Sequence, residues 1–284
     1  MDFSKQNSLF YPIIKCFIIG LIATLPNKLF AQRGFYTPKA LVIPLHDEAR
    51  QLFMSVGWGG GLDLNLSYAL TNKFAVFGSS TVNMGSRPGV TILGSSYTIN
   101  KNDYVLKGGL GYFTKIDTRF FKIFEASFGA AISKVDNSWY FNNYREGIEY
   151  TYAKYNSLFG QINVGRKKTK TEYAVGVRLN YSKYGQFNSF EPNASSAISE
   201  YQNVKGLSMD PVVSFSYNLG KVKLNSQIGL AVPLGGPSVN VIDTYISYDQ
   251  QTSTTNQVAH TEKMYLGNVL GRLSIQYRLG FGKK

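Results

Sequence analysis

Residues 172–184, EYAVGVRLNYSKY, sort their side chains into two sets with a period of two. Tyr173, Val175, Val177, Leu179 and Tyr181 share one face, and Glu172, Ala174, Gly176, Arg178, Asn180 and Ser182 share the other. At 3.6 residues per turn a helix would mix the two sets, so the segment reads as a strand.

The same alternation recurs outward from it. Near the C-terminus, Val269, Gly271, Leu273, Ile275, Tyr277, Leu279 and Phe281 oppose Asn268, Arg272, Ser274, Gln276 and Arg278. Residues 222–232 set Val222, Leu224, Ile228, Leu230 and Val232 against Lys223, Asn225 and Gln227. Residues 61–70 set Leu62, Leu64, Leu66, Tyr68 and Leu70 against Asp63, Asn65 and Ser67. In 119–134, Phe120, Phe124, Phe128 and Ile132 point one way, and Lys122 interrupts that face near one end. About ten such segments are legible: 51–59, 61–70, 73–83, 103–114, 119–134, 153–166, 171–184, 207–218, 221–232 and 266–281. Most have the roughly 9–11 residues that a tilted strand needs to cross a bilayer.

The connections supply a separate test. Those at 69–73, 115–118, 166–170 and 218–221 are short, and those at 84–102, 135–152, 185–206 and 233–265 are long. From the second strand onward the two kinds alternate, as short periplasmic turns and long outer loops do in transmembrane barrels. The exception is the tight Gly59-Gly60-Gly61 connection. The expectation is one all-β, antiparallel meander barrel over 51–282, with ten strands, or eight or twelve if the loops are miscounted. Loops 84–102 and 233–265 could each hold a further hairpin, since residues 241–248 also alternate. Tyr104, Tyr112, Tyr155, Tyr173, Tyr181, Tyr217, Tyr265 and Tyr277 fall near strand ends, where amphipathic rings suit the headgroup zone.

Composition agrees with such a chain. Tyr (20), Phe (19) and Gly (28) are abundant, yet no apolar run after the N-terminus is long enough for a spanning helix. The net charge of +13 is spread along the chain and not gathered on one helix or stripe, which argues against nucleic acid as partner. Residues 16–25 (CFIIGLIATL) follow Lys15 as a short apolar core, and Ala31 precedes a cleavage point before Gln32. Residues 1–31 therefore read as a signal peptide with a long leader. Cys16 lies within it, with Lys15 where a lipoprotein would need a small residue, and the mature chain would carry no thiol. Residues 32–50 read as a periplasmic lead-in.

Residues 35–82 (FYTPKALVIPLHDEARQLFMSVGWGGGLDLNLSYALTNKFAVFGSSTV) carry a resemblance. A Tyr-x-Pro lead-in, a Pro-Leu element before a charged pair, a Gly-rich hairpin and a Tyr-Ala-Leu-Thr-Asn-Lys-Phe-Ala-Val turn resemble the start of Bacteroidetes-type outer-membrane β-barrel proteins. The matching residues are Tyr36, Pro38, Pro44, Leu45, Glu48, Gly60, Gly61, Tyr68, Ala69, Thr71, Phe74, Ala75 and Val76, with Asp47 where that family usually has Gly. The resemblance implies an outer-membrane barrel and no catalytic residues.

Alternation places Asp63, Lys107, Glu125, Glu172, Arg178, Lys223, Arg272 and Arg278 toward the lumen. Two readings follow. They pair across a narrow interior, since unpaired buried charge is costly, or the surplus cations line a porin-like pore for small polar or anionic solutes. A third reading is a non-transporting surface barrel that binds partners through its outer loops. Expected partners are outer-membrane lipids, periplasmic chaperones and the insertion machinery, with a small solute or surface ligand possible. No cofactor or metal is expected. Only His46 and His260 are present, and Glu262, Asp243 and Asp249 near His260 form no catalytic signature, so an enzyme is not expected.

Overall fold

The computed structural model describes residues 39–90, 96–141, 149–191, 197–220, 222–248, 253–265 and 267–280. The expected signal peptide, Cys16 and Phe281 lie outside them. Thirteen strands run β1 (Gln51–Trp58), β2 (Leu62–Ala69), β3 (Phe74–Val90), β4 (Ser96–Lys115), β5 (Ile123–Phe141), β6 (Glu149–Lys167), β7 (Thr171–Glu191), β8 (Ala197–Gln202), β9 (Lys205–Leu219), β10 (Val222–Pro233), β11 (Ser238–Tyr248), β12 (Ser253–Lys263) and β13 (Asn268–Gly280).

Ten of them close a ring. β1 to β7 pair in sequence, β7 pairs with β9, β9 with β10, β10 with β13, and β13 returns to β1 from Gln51↔Gly280 to Trp58↔Leu273. All pairings are antiparallel. The other three strands extend the wall at the long-loop end. β8 adds to the last residues of β7, β11 to β8, and β12 to β11. The ring has ten strands, and the hairpin expected in 233–265 is β11–β12, outside it.

The alternation is inverted relative to a soluble protein. Leu62, Leu64, Leu66, Leu110, Phe128, Leu179, Ile228 and Leu273 are exposed, while Asp63, Asn65, Ser67, Asp210, Asn225 and Arg272 are buried. The contrast is large: Leu273 is 69% exposed and Asp210 0%. Contiguous exposed apolar surface on this scale marks a face covered by a membrane or by another protein.

Three expected boundaries differ. Loops 84–102, 135–152 and 185–206 begin and end as continued strands, because polar cross-strand partners extend the ladders. Asn100 Nδ2 donates to Ser138 Oγ at 3.3 Å, and Tyr150 stacks on Phe190 at 5.8 Å. In β7 the alternation breaks at Gly185, which has no partner between Tyr155↔Tyr184 and Lys154↔Gln186. That bulge flips the parity, so Tyr184, Phe187 and Ser189 all face inward, and a strict two-residue period ends one residue too early. Residues 119–122 belong to a turn, where Lys122 pairs with Asp117 at 2.5 Å and does not interrupt a strand face.

The wall is uneven in height. β3 to β7 have 17 to 21 residues, whereas β1 and β2 have 8 each. At about 3.3 Å per residue, β7 measures about 70 Å along its course, far more than a bilayer requires.

Candidate functional site: an occupied lumen

The described part of the expected periplasmic lead-in, residues 39–50, runs through the barrel. Arg50 N donates to Ala69 O at 2.7 Å and Ala49 N to Asn72 Oδ1 at 3.0 Å, which ties it to the short-turn end. At its other end Lys39 Nζ donates to Gly60 O at 3.2 Å, beside the β1–β2 turn at the long-loop end. Five wall side chains donate to carbonyls of this segment, which places it in the interior.

Those donors come from five strands. Arg178 Nη2 (β7) reaches Lys39 O at 2.8 Å, and Lys107 Nζ (β4) reaches Ala40 O at 3.4 Å. Gln227 Nε2 (β10) reaches Leu41 O at 3.2 Å, and Gln161 Nε2 (β6) reaches Val42 O at 2.8 Å. Arg278 Nη2 (β13) donates to Pro44 O. On the acceptor side, Glu125 Oε1 takes His46 N at 2.8 Å, and Ser67 Oγ lies 2.9 Å from His46 Nε2. An extended strand buried alone would cost several unsatisfied carbonyls, and side chains here replace a sheet neighbour.

The apolar side chains of the segment complete the fit. Leu41, Ile43 and Leu45 are buried with Ile123, Ala174, Val212 and Leu270. Leu45 holds a left-handed backbone, φ 51°, which is uncommon for any residue but glycine. Two inward glycines make the room. A Cβ on Gly165 would stand 2.5 Å from Leu45 Cδ2, and one on Gly176 would stand 2.9 Å from Leu41 Cδ2. Gly176→Val is therefore expected to overpack the lumen by about 1–3 kcal/mol and loosen the segment. The check is limited trypsin digestion of the refolded barrel: cleavage after Lys39 should accelerate several-fold while the barrel core stays resistant.

The eight expected lumen residues all point inward, and their charges are internally engaged. Arg272 Nε and Nη2 bind Asp63 Oδ1 at 2.7 and 2.5 Å, joining β13 to β2 across β1. Lys223 pairs with Glu172, which also accepts from Arg278 Nη1 at 3.0 Å. Arg178 binds Asp210 Oδ2 through Nε at 2.9 Å and Nη2 at 2.7 Å. Glu125 also accepts from Asn163 Nδ2 at 3.2 Å. Asp210 was not among the expected residues, although Ser208, Asp210, Ser214 and Ser216 share its parity in the sequence. Lys39, buried at the head of the segment, carried no alternation signal at all.

At the short-turn rim, Asp47 Oδ1 receives Lys167 Nζ at 2.5 Å and Gln51 Nε2 at 2.5 Å. Burial acts to raise the Asp47 carboxyl, but Lys167 and Gln51 together outweigh it and hold the group below the usual carboxylate range.

Toward the long-loop end a second cluster fills part of the interior. Phe187 stacks on Tyr201 at 4.3 Å, and Tyr184 lies 4.7 Å from Tyr155 and 5.6 Å from Phe187. Val204, Val239, Val241 and Met264 are buried with them. Tyr155, expected at the headgroup zone, is one of these inward rings.

The two histidines sit apart. His46 is buried against Phe113, and His260 Nδ1 lies 3.5 Å from Asp243 Oδ2 on the β11–β12 hairpin. Ser199 Oγ donates to the same Asp243 at 2.6 Å, so the hydroxyl faces the carboxylate and not the imidazole.

No family model and no curated protein matches the chain. Among solved structures, the translocator domain of the autotransporter NalP from Neisseria meningitidis is similar at 12% identity and a TM-score of 0.40, over 81% of this chain and 86% of that one.

Proposed function

We propose that the chain is an outer-membrane β-barrel that is closed to solutes at rest and acts through the wall it raises above the bilayer. The apolar outer face supports the membrane reading, since every ring strand exposes large apolar side chains that lipid would cover. The resemblance of residues 35–82 to Bacteroidetes-type outer-membrane barrels supports it further. Short turns would then face the periplasm, and β8, β11 and β12 with the ends of β3 to β7 the cell exterior. Lipids, periplasmic chaperones and the insertion machinery are the partners this reading requires, and no catalytic role is proposed.

The observation that carries the closed state is the occupied lumen. Five wall side chains that would otherwise line a channel donate to one threaded segment. The surplus cations are thus spent on carbonyls and carboxylates, which favours a surface role over an anion pore.

Planar-bilayer recording of the refolded mature barrel tests this. The expected result is a heat-resistant, β-rich protein with no discrete openings at moderate voltage. Steady anion-selective openings would overturn the closed reading and return Arg178, Arg272 and Lys223 to the role of pore lining.

A further inference from the structure

Beside the head of the threaded segment lies a polar cavity of about 180 Å³, with Lys39, Asn83, Lys101, Asp103, Asn268 and the Gly60 backbone in its walls. It opens at the low side of the barrel, where β1 and β2 end and the tall strands rise opposite.

Its charged side chains, Lys39 and Lys101 against Asp103, leave an excess of positive charge that favours an anionic partner. Lys39 is buried, yet its ammonium donates only to Gly60 O among the described residues. Lys101 makes no ion pair with any described residue, and the two ammonium groups repel each other. The carboxylate nearest to them in the wall, Asp103, already accepts Asp136 N at 2.9 Å. Asp103 is the main counter-charge to Lys39. One carboxylate against two ammonium groups still leaves the wall with a net positive charge, which an anion seated between the two lysines would balance. The remaining wall sets Asn83, Asn268, Asp103 and glycine backbone beside Ala40, Val269 and Leu270, and its amide and carboxylate groups suit hydroxyl groups. The volume admits a molecule the size of a sugar, given that a water occupies about 30 Å³ in the liquid.

We propose that this cavity is a binding site for a small, soluble, hydroxylated carboxylate, with Lys39 and Lys101 holding the carboxylate and Asn83, Asp103 and Asn268 meeting its hydroxyls. The site stands apart from the closed-lumen reading: conductance tests that one, and binding in detergent tests this one.

The experiment is calorimetric titration of the full mature barrel in detergent with D-glucuronate, D-glucose and acetate. Saturable binding of glucuronate is expected, at least tenfold tighter than glucose or acetate. Lys101→Met should weaken it at least tenfold while leaving the heat-resistant gel mobility unchanged. Absent binding, equal binding of glucose, or an unaffected Lys101→Met variant would each overturn the proposal. So would binding that appears only after residues 32–38 are removed, because those residues would then be the occupant.

Discussion

Replacing Leu41, Ile43 and Leu45 together with serine is expected to convert a silent barrel into a conducting one. Each of these side chains is buried inside the ring. Truncation of a buried leucine or isoleucine costs about 2–5 kcal/mol, so the triple variant loses on the order of 6 kcal/mol or more of docking energy. The wall donors would remain, but each hydrogen bond to a carbonyl contributes only about 0.5–1.5 kcal/mol net and can be exchanged for water. The strand ladders do not involve the segment, so the ring should persist. Bilayer recording and trypsin cleavage after Lys39 are the paired measurements. Openings together with cleavage identify the segment as the seal. Cleavage without openings assigns the seal to the Tyr184, Phe187 and Tyr201 cluster. Neither would show that docking does not depend on the three apolar side chains.

The second large effect is expected at Arg178 and Asp210. Both are buried, directly opposed on β7 and β9, and joined by two hydrogen bonds, while Arg178 also holds Lys39 O. Arg178→Met leaves the Asp210 carboxylate without its guanidinium, a change that costs about 3–5 kcal/mol for a buried pair. Urea unfolding in micelles should show the midpoint falling accordingly. The double variant Arg178→Met with Asp210→Leu should recover much of the loss, since a buried pair is often replaceable by apolar groups of similar volume. A double variant as unstable as the single one would mean that the bond to Lys39 O, and not the ion pair, is what Arg178 contributes.

Alternation made the ring legible before any coordinates. A period of two is a local property, carried by each residue and its next-but-one neighbour, and it placed Asp63, Glu172, Arg178 and Arg272 inside from the sequence alone. The order of short and long connections is likewise local, and it counted ten ring strands. Where a local pattern was interrupted, local reading stopped: the Gly185 bulge shifts parity by one residue and hid the upper half of β7.

The contents of the lumen were of another kind. Residues 39–46 have no strict period, because their partners sit on five strands all around them and not on one flanking face. Nothing local distinguishes such a segment from a tail outside the barrel. The sequence by itself pointed to the barrel, to ten strands with eight or twelve as alternatives, and to the parity of its wall up to the Gly185 bulge, since those follow from neighbours along the chain. Only the tertiary structure decided that the interior is filled, that Asp210 answers Arg178, and that Lys39 and Lys101 share a cavity. Each of those depends on side chains brought together from strands far apart in sequence, and on how much volume the closed ring leaves between them.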